Sequence, residues 1–172
     1  MIKSIVICYL IFLAAGLAQA QGGLPKIKES LNIQGEEYPN ACSSEKRKKL
    51  QQSVKRAAGR TRDPIGAWRL VETLLCAPNS KGTRSYLTGV LPSIIRVKSS
   101  GTGQDDTSEL IRRDGKLIKS LLAKGKAWNV TVSSESGQLV LNYYPNEACI
   151  SSRTLKFTNK RWQLVEMGGA CD

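Results

Sequence analysis

The hydrophobic period of this chain changes at Ser93, and that change fixes the class of fold. Before it, Leu50, Val54, Ala57 and Ala58, and then Ile65, Trp68, Val71, Leu74 and Leu75, recur at helical spacing. After it, Ile95 and Val97 alternate with Arg96 and Lys98, the two-residue period of a half-buried strand. Helices first and strands afterwards predict an α+β chain: an N-terminal helical hairpin with a curved, mainly antiparallel sheet wrapped on a third helix.

Gln21 to Ala41 contains Gly22-Gly23 and two prolines without periodicity, which predicts a flexible leader. Ser43 or Ser44 then caps a helix running to about Ala58, where Gly59 stops it. The apolar stripe of this helix is narrow, so most of its surface faces solvent. Asp63 is the expected cap of the next helix, with Pro64 at the first helical position, where its missing N–H costs nothing. Pro78-Asn79-Ser80 ends it, and a shorter piece from about Lys81 to Thr88 carries Tyr86 and Leu87 inward. SSGTGQDD reads as a turn-rich loop, and Ser108 to Arg113 as a return strand. Asp114 caps DGKLIKSLLAKGK, whose Leu117, Ile118, Leu121 and Leu122 form one face. The segments AWNVTVS, QLVLNYY, CISSRTLKF and RWQLVEM follow, with Trp128, Val130 and Val132 expected on one side. Their connections are of hairpin length, which predicts an antiparallel meander.

Lys3, the apolar run from Ser4 to Gly16 and the A-x-A site at Ala18 and Ala20 read as a signal peptide over residues 1–20. Cys8 leaves with it. The expected organisation is signal peptide 1–20, leader 21–41 and a single α+β domain 42–172. The expected location is periplasmic or secreted, in an overall style that resembles bacterial exported proteins.

Four of the five cysteines survive that processing, and in an exported chain an even count favours disulfides, with three connectivities possible. The expected elements choose among them. Gly59, the break between the first two helices, lies midway between Cys42 and Cys76. Lys160, in the last hairpin turn, lies midway between Cys149 and Cys171. An antiparallel pair turning at each midpoint brings its thiols level, so Cys42–Cys76 and Cys149–Cys171 are predicted.

The chain has no histidine, which removes Ser-His-Asp and Cys-His catalysis, His-ligated zinc and the usual general base near neutral pH. Ser43 and Lys46 have S-x-x-K spacing, but no S-D-N or K-T-G accompanies them, and an N-cap explains the serine. Asp105, Asp106, Glu109 and Asp114 lack the ligand alternation of a calcium loop and read as turn residues and one cap. Asn129-Val130-Thr131 fits a glycosylation sequon. Of Tyr143 and Tyr144, one must face the far side of the sheet. No catalytic, cofactor-binding or metal-binding residues are assigned, and no cofactor is expected.

The order helix, helix, strand, strand, helix and four strands, closing on the aromatic KRWQLVEM, resembles the curved-sheet cone of the nuclear transport factor and ketosteroid isomerase superfamily. The resemblance implies a pocket between sheet and third helix. A chamber filled by Trp128, Leu141, Phe157 and Trp162 would close it. The chain also resembles small signal-peptide-bearing proteins encoded beside interbacterial toxins.

SSEKRKKLQQSVKRAAGRTR, Ser43 to Arg62, is strongly basic in a chain of formal charge +12, which becomes +11 once Lys3 is removed. Export argues against nucleic acid, and the narrow apolar stripe disfavours a membrane surface. The expectation is a non-enzymatic periplasmic immunity or inhibitor protein that neutralises an acidic protein partner, a toxin or hydrolase. Its contact residues would be Lys46, Arg47, Lys48, Lys49, Lys55, Arg56, Arg60, Arg62 and Tyr144. A small-ligand carrier or degenerate enzyme of the cone fold, and an anionic lipid or polysaccharide binder, are the alternatives.

Overall fold

A computed structural model describes residues 36–101 and 104–171. The fold is α+β, with four helices and one mixed seven-stranded sheet among the described residues. In chain order the elements are β1 (Glu36–Pro39), α1 (Ser44–Ala58), α2 (Pro64–Cys76), α3 (Lys81–Val90), β2 (Ile94–Gly101) and β3 (Gln104–Arg112). They continue with α4 (Gly115–Ser120), β4 (Asn129–Glu135), β5 (Gln138–Asn146), β6 (Cys149–Thr158) and β7 (Arg161–Cys171). The signal-peptide expectation and residues 21–35 of the expected leader lie outside the described residues.

Local chemistry accounts for the helix ends. The Asp63 carboxylate accepts from Gly66 N–H at 2.9 Å and Pro64 follows it, as the sequence predicts. A Cβ at residue 66 would strike that carboxylate and displace the cap. Ser80 caps α3 through Thr83 N–H, and Asp114 caps α4 through Leu117 N–H at 2.7 Å. In α1, Glu45 lies in the first turn and Lys55 and Arg56 in the last, matching the helix dipole. Ser43 takes the N-cap position of α1 but makes no side-chain cap bond.

The sheet order is β1-β4-β5-β6-β7-β2-β3. β4 to β7 form the predicted antiparallel meander, and β2 joins its far side parallel to β7. Two-residue turns with positive φ close two of the hairpins, Ser136-Gly137 and Asn159-Lys160. One face of the sheet carries Val130, Val132, Leu139, Leu141, Tyr143, Leu155 and Leu164 into a single core with the helices. α1 lies on β4 and β5, and α2 and α3 lie on β7. After α4, Ala123 N–H and Gly125 N–H bond the carbonyls of Leu74 and Leu75, satisfying acceptors that the end of α2 leaves open.

Both predicted disulfides are present, with Cα–Cα distances of 5.4 Å for Cys42–Cys76 and 4.1 Å for Cys149–Cys171. Cys149 and Cys171 are register partners in the ladder, and Gly59 (φ +77°) ends α1 at the break between the two helices.

Five expectations need correction. Residues 36–39, read as leader, form β1 on the free edge of β4, and Tyr38 and Ala41 are buried in the core. Ile65 is exposed, and the buried face of α2 instead includes Ala67 and Leu70. Trp128 precedes β4 rather than belonging to its pleat, so it does not follow Val130 and Val132 inward. The loop SSGTGQDD is largely strand, since β2 extends to Gly101 and β3 starts at Gln104. The helix capped by Asp114 ends at Ser120, although Leu121 and Leu122 are buried as predicted. Of the four residues that would close a chamber by filling it, Leu141 and Trp162 are core and Phe157 packs on Trp162, while Trp128 stands outside.

Candidate functional site

The basic residues singled out in the sequence do not all face the same way. Lys48, Lys49, Arg56 and Arg60 are exposed along α1 and the turn after it, with Lys46 and Lys55 half-buried beside them. Lys46 and Lys49 stand 3.9 and 3.7 Å from the Glu45 carboxylate, contacts of little energetic weight at such exposure. Arg47 pairs with Glu72 of α2, and so joins the two helices. Arg62 Nη1 donates to the carbonyl oxygen of Gly137 at 3.0 Å, and so ties the helical turn to the β4–β5 hairpin. Trp162 strengthens the same corner, its indole N–H donating to the carbonyls of Arg62 and Asp63. Arg47 and Arg62 therefore serve the fold.

Tyr144 is on the other side of the sheet from α1, because Tyr143 takes the inward position. Its ring packs on Trp128 with centroids 5.6 Å apart, and both rings are substantially exposed, Trp128 at 48% and Tyr144 at 37%. Next to it on β6 stands Ile150, which is also exposed.

That outward face holds the features that sequence reasoning missed. A hollow of about 450 Å³ runs from Asn142 on β5, across Ile150 and Ser152 on β6 and Gly168 on β7, to Lys98 on β2 and Ser108 on β3. In the sheet order β6, β7 and β2 separate β5 from β3, so one hollow reaching both requires this face to curve inward. Gly168 forms part of its floor, and a Cβ there would strike the Ser152 hydroxyl. A second hollow of about 790 Å³ shares Lys98, Asn142 and Ser152 and continues over Ile94, Leu110, Val140 and Val165. Lys98 Nζ lies 3.0 Å from the Glu166 carboxylate, and Arg96 approaches the same group at 3.9 Å. The Gly168-Gly169 pair inside a strand was the available sequence signal, since glycine there marks close approach or open space.

Beneath this floor, on the helix side, Arg153 is buried with no carboxylate partner among the described residues. Its Nη1 donates to the carbonyls of Ser152 (2.7 Å) and Gly168 (3.4 Å), while its Nε has no partner. Burial pushes its pKa down, and Tyr143, whose ring lies 5.4 Å away, partly opposes that.

The remaining candidates disperse. Asp105, Asp106 and Glu109 are exposed on β3, and Asp114 is engaged as a cap. Among the described residues, no group of three or more His, Cys, Asp or Glu side chains converges on a metal position. The sequon residue Asn129 is half-buried with its Oδ1 enclosed and unpartnered. Two disulfides fit a non-reducing, extracellular-type environment. Among the described residues no helix is long and apolar enough to cross a membrane.

Comparison with family models, with curated proteins and with solved structures finds no match to this chain.

Proposed function

We propose that this chain is an exported, non-enzymatic protein-binding module, periplasmic or secreted, of the immunity or inhibitor kind, which neutralises a toxin or hydrolase with an acidic surface. One observation carries the reading. The solvent side of α1 and the turn after it present Lys48, Lys49, Arg56 and Arg60, and the helix is pinned to α2 by Cys42–Cys76 and by Arg47–Glu72. Charges held on a rigid element steer encounter with an acidic partner at little ordering cost. Ile65, 70% exposed in the first turn of α2, offers an apolar anchor near the turn that bears Arg60. Tyr144, on the opposite face of the sheet, drops out of this surface. Kinship with the nuclear transport factor and ketosteroid isomerase superfamily remains part of the proposal, supported by the order of elements from α1 to β7.

The test is capture from periplasmic extract with the exported chain as bait, followed by association kinetics with the captured protein. Changing Lys48, Lys49 and Arg60 together to Gln should slow association roughly ten-fold at low salt and much less at high salt. Recovery of no protein at any ionic strength would sink the reading.

A further inference from the structure

We infer that the hollow over Gly168 and the Trp128–Tyr144 pair beside it form a binding site for a neutral oligosaccharide, one sugar ring in the hollow and a neighbouring ring on the aromatic pair.

The lining chemistry selects the ligand class. Ser100, Ser108, Ser152 and Asn142 all line the hollow, and their side chains make no hydrogen bond among the described residues. Hydroxyl and amide groups both donate and accept, which matches the mixed donors and acceptors of sugar hydroxyls. An anion would need surplus positive charge. Lys98, the cation of the lining, is already held by Glu166 at 3.0 Å, and Asp106 adds a negative charge. The lining is therefore close to neutral, its hydroxyl and amide groups set in a surface that is otherwise more apolar than polar. Its volume, about 450 Å³, falls in the ordinary range of small-molecule sites. It exists because Gly168 contributes no side chain to the floor.

The aromatic pair adds an apolar platform beside the hollow. The C–H face of a pyranose ring is apolar and flat, and it gains by packing on an exposed aromatic ring whose edges remain wet. Tyr144 lies two residues along β5 from Asn142 on the same face, about 7 Å by strand geometry, so one oligosaccharide can reach both. Ile150, beside Tyr144 and in the lining of the hollow, makes the two parts continuous.

Tryptophan fluorescence gives a direct readout, because Trp68 and Trp162 are buried and Trp128 is exposed. The exported chain should be titrated with soluble tetrasaccharides of glucose and of N-acetylglucosamine, with sodium acetate and a Glu-rich peptide as anionic comparators. The expected result is a saturable emission shift with at least one tetrasaccharide and none with the anions. Trp128→Ala, Tyr144→Ala and Asn142→Ala should each weaken binding roughly ten-fold, the size of losing one stacked ring or one bidentate polar contact. Binding by the Asn142 variant is followed by the same emission, and that of the Trp128 variant by calorimetry. Equal unfolding midpoints show that the variants are folded, and Ser152→Ala is a milder second probe of the hollow. Changing Lys48, Lys49 and Arg60 to Gln should leave saccharide binding unaltered, so this site and the protein-binding reading fail separately. The inference is overturned if no tetrasaccharide binds, if the anions bind instead, or if binding survives both Trp128→Ala and Asn142→Ala.

Discussion

Arg62 donates from Nη1 to the carbonyl oxygen of Gly137 at 3.0 Å, joining a helical turn to a β-hairpin across 75 positions of sequence. Gly137 sits at φ +77°, and a Cβ there would lie 2.7 Å from Nη1. The conformation calls for glycine, and a side chain there would push the guanidinium off the carbonyl.

Arg62→Ala should therefore destabilise the protein by about 1–3 kcal/mol, the range of a charge-assisted hydrogen bond to backbone. Gly137→Ala should destabilise it through the same corner, adding backbone strain. Urea unfolding with an unchanged slope checks both, and Lys48→Ala, on the solvent side of α1, should stay within about 0.5 kcal/mol.

Arg153 invites the opposite outcome. Its guanidinium is buried with an unpartnered Nε and no opposing carboxylate among the described residues. Arg153→Met keeps length and removes the charge, and it should stabilise the fold by about 1–4 kcal/mol. A fall in stability would show that the bonds to the Ser152 and Gly168 carbonyls outweigh the burial of charge.

Each disulfide closes a loop of moderate length, with sequence separations of 34 and 22. Replacing either pair by Ser should cost about 3–4 kcal/mol on loop entropy. Non-reducing peptide mapping of the intact chain should recover only the pairs Cys42–Cys76 and Cys149–Cys171.

The two faces of α2 separate just as cleanly. Leu70 is fully buried and Ile65 is 70% exposed. Leu70→Ala should cost about 2–5 kcal/mol, whereas Ile65→Ala should be nearly neutral for stability. Thermal denaturation of the two variants distinguishes them.

What the sequence revealed was local, and what it concealed was assembled over distance. Gly59 and Lys160 mark turns, so the cysteines placed symmetrically about them meet as soon as the local pairs form. The caps at Asp63 and Asp114 need only their own next turn. By contrast β1, EEYP, has two acidic residues and a proline, a composition poor in strand signal. It is a strand only because β4 offers an edge. Ile65 and Leu70 are both large and apolar, and only the tertiary packing of α2 decides which one is covered. The outward hollow draws on strands β5, β6, β7, β2 and β3, and nothing in any one of them announces it beyond Gly168-Gly169. Tyr144 was legible as an outward side chain, but its partner Trp128 was not, because Trp128 lies outside the pleat.

The position of β1 also bears on the order in which the fold forms. Glu36 pairs with Val132, so this strand cannot find its place until the last third of the chain begins to settle. Oxidation of Cys42 with Cys76 needs no such wait, since both cysteines belong to the helical pair. Once made, that bond anchors β1 only a few residues from its end and leaves a short tether to search for the edge of β4. Oxidising conditions should thus speed the docking of β1 as well as stabilise the fold, and under reducing conditions β1 should be the slowest element to dock.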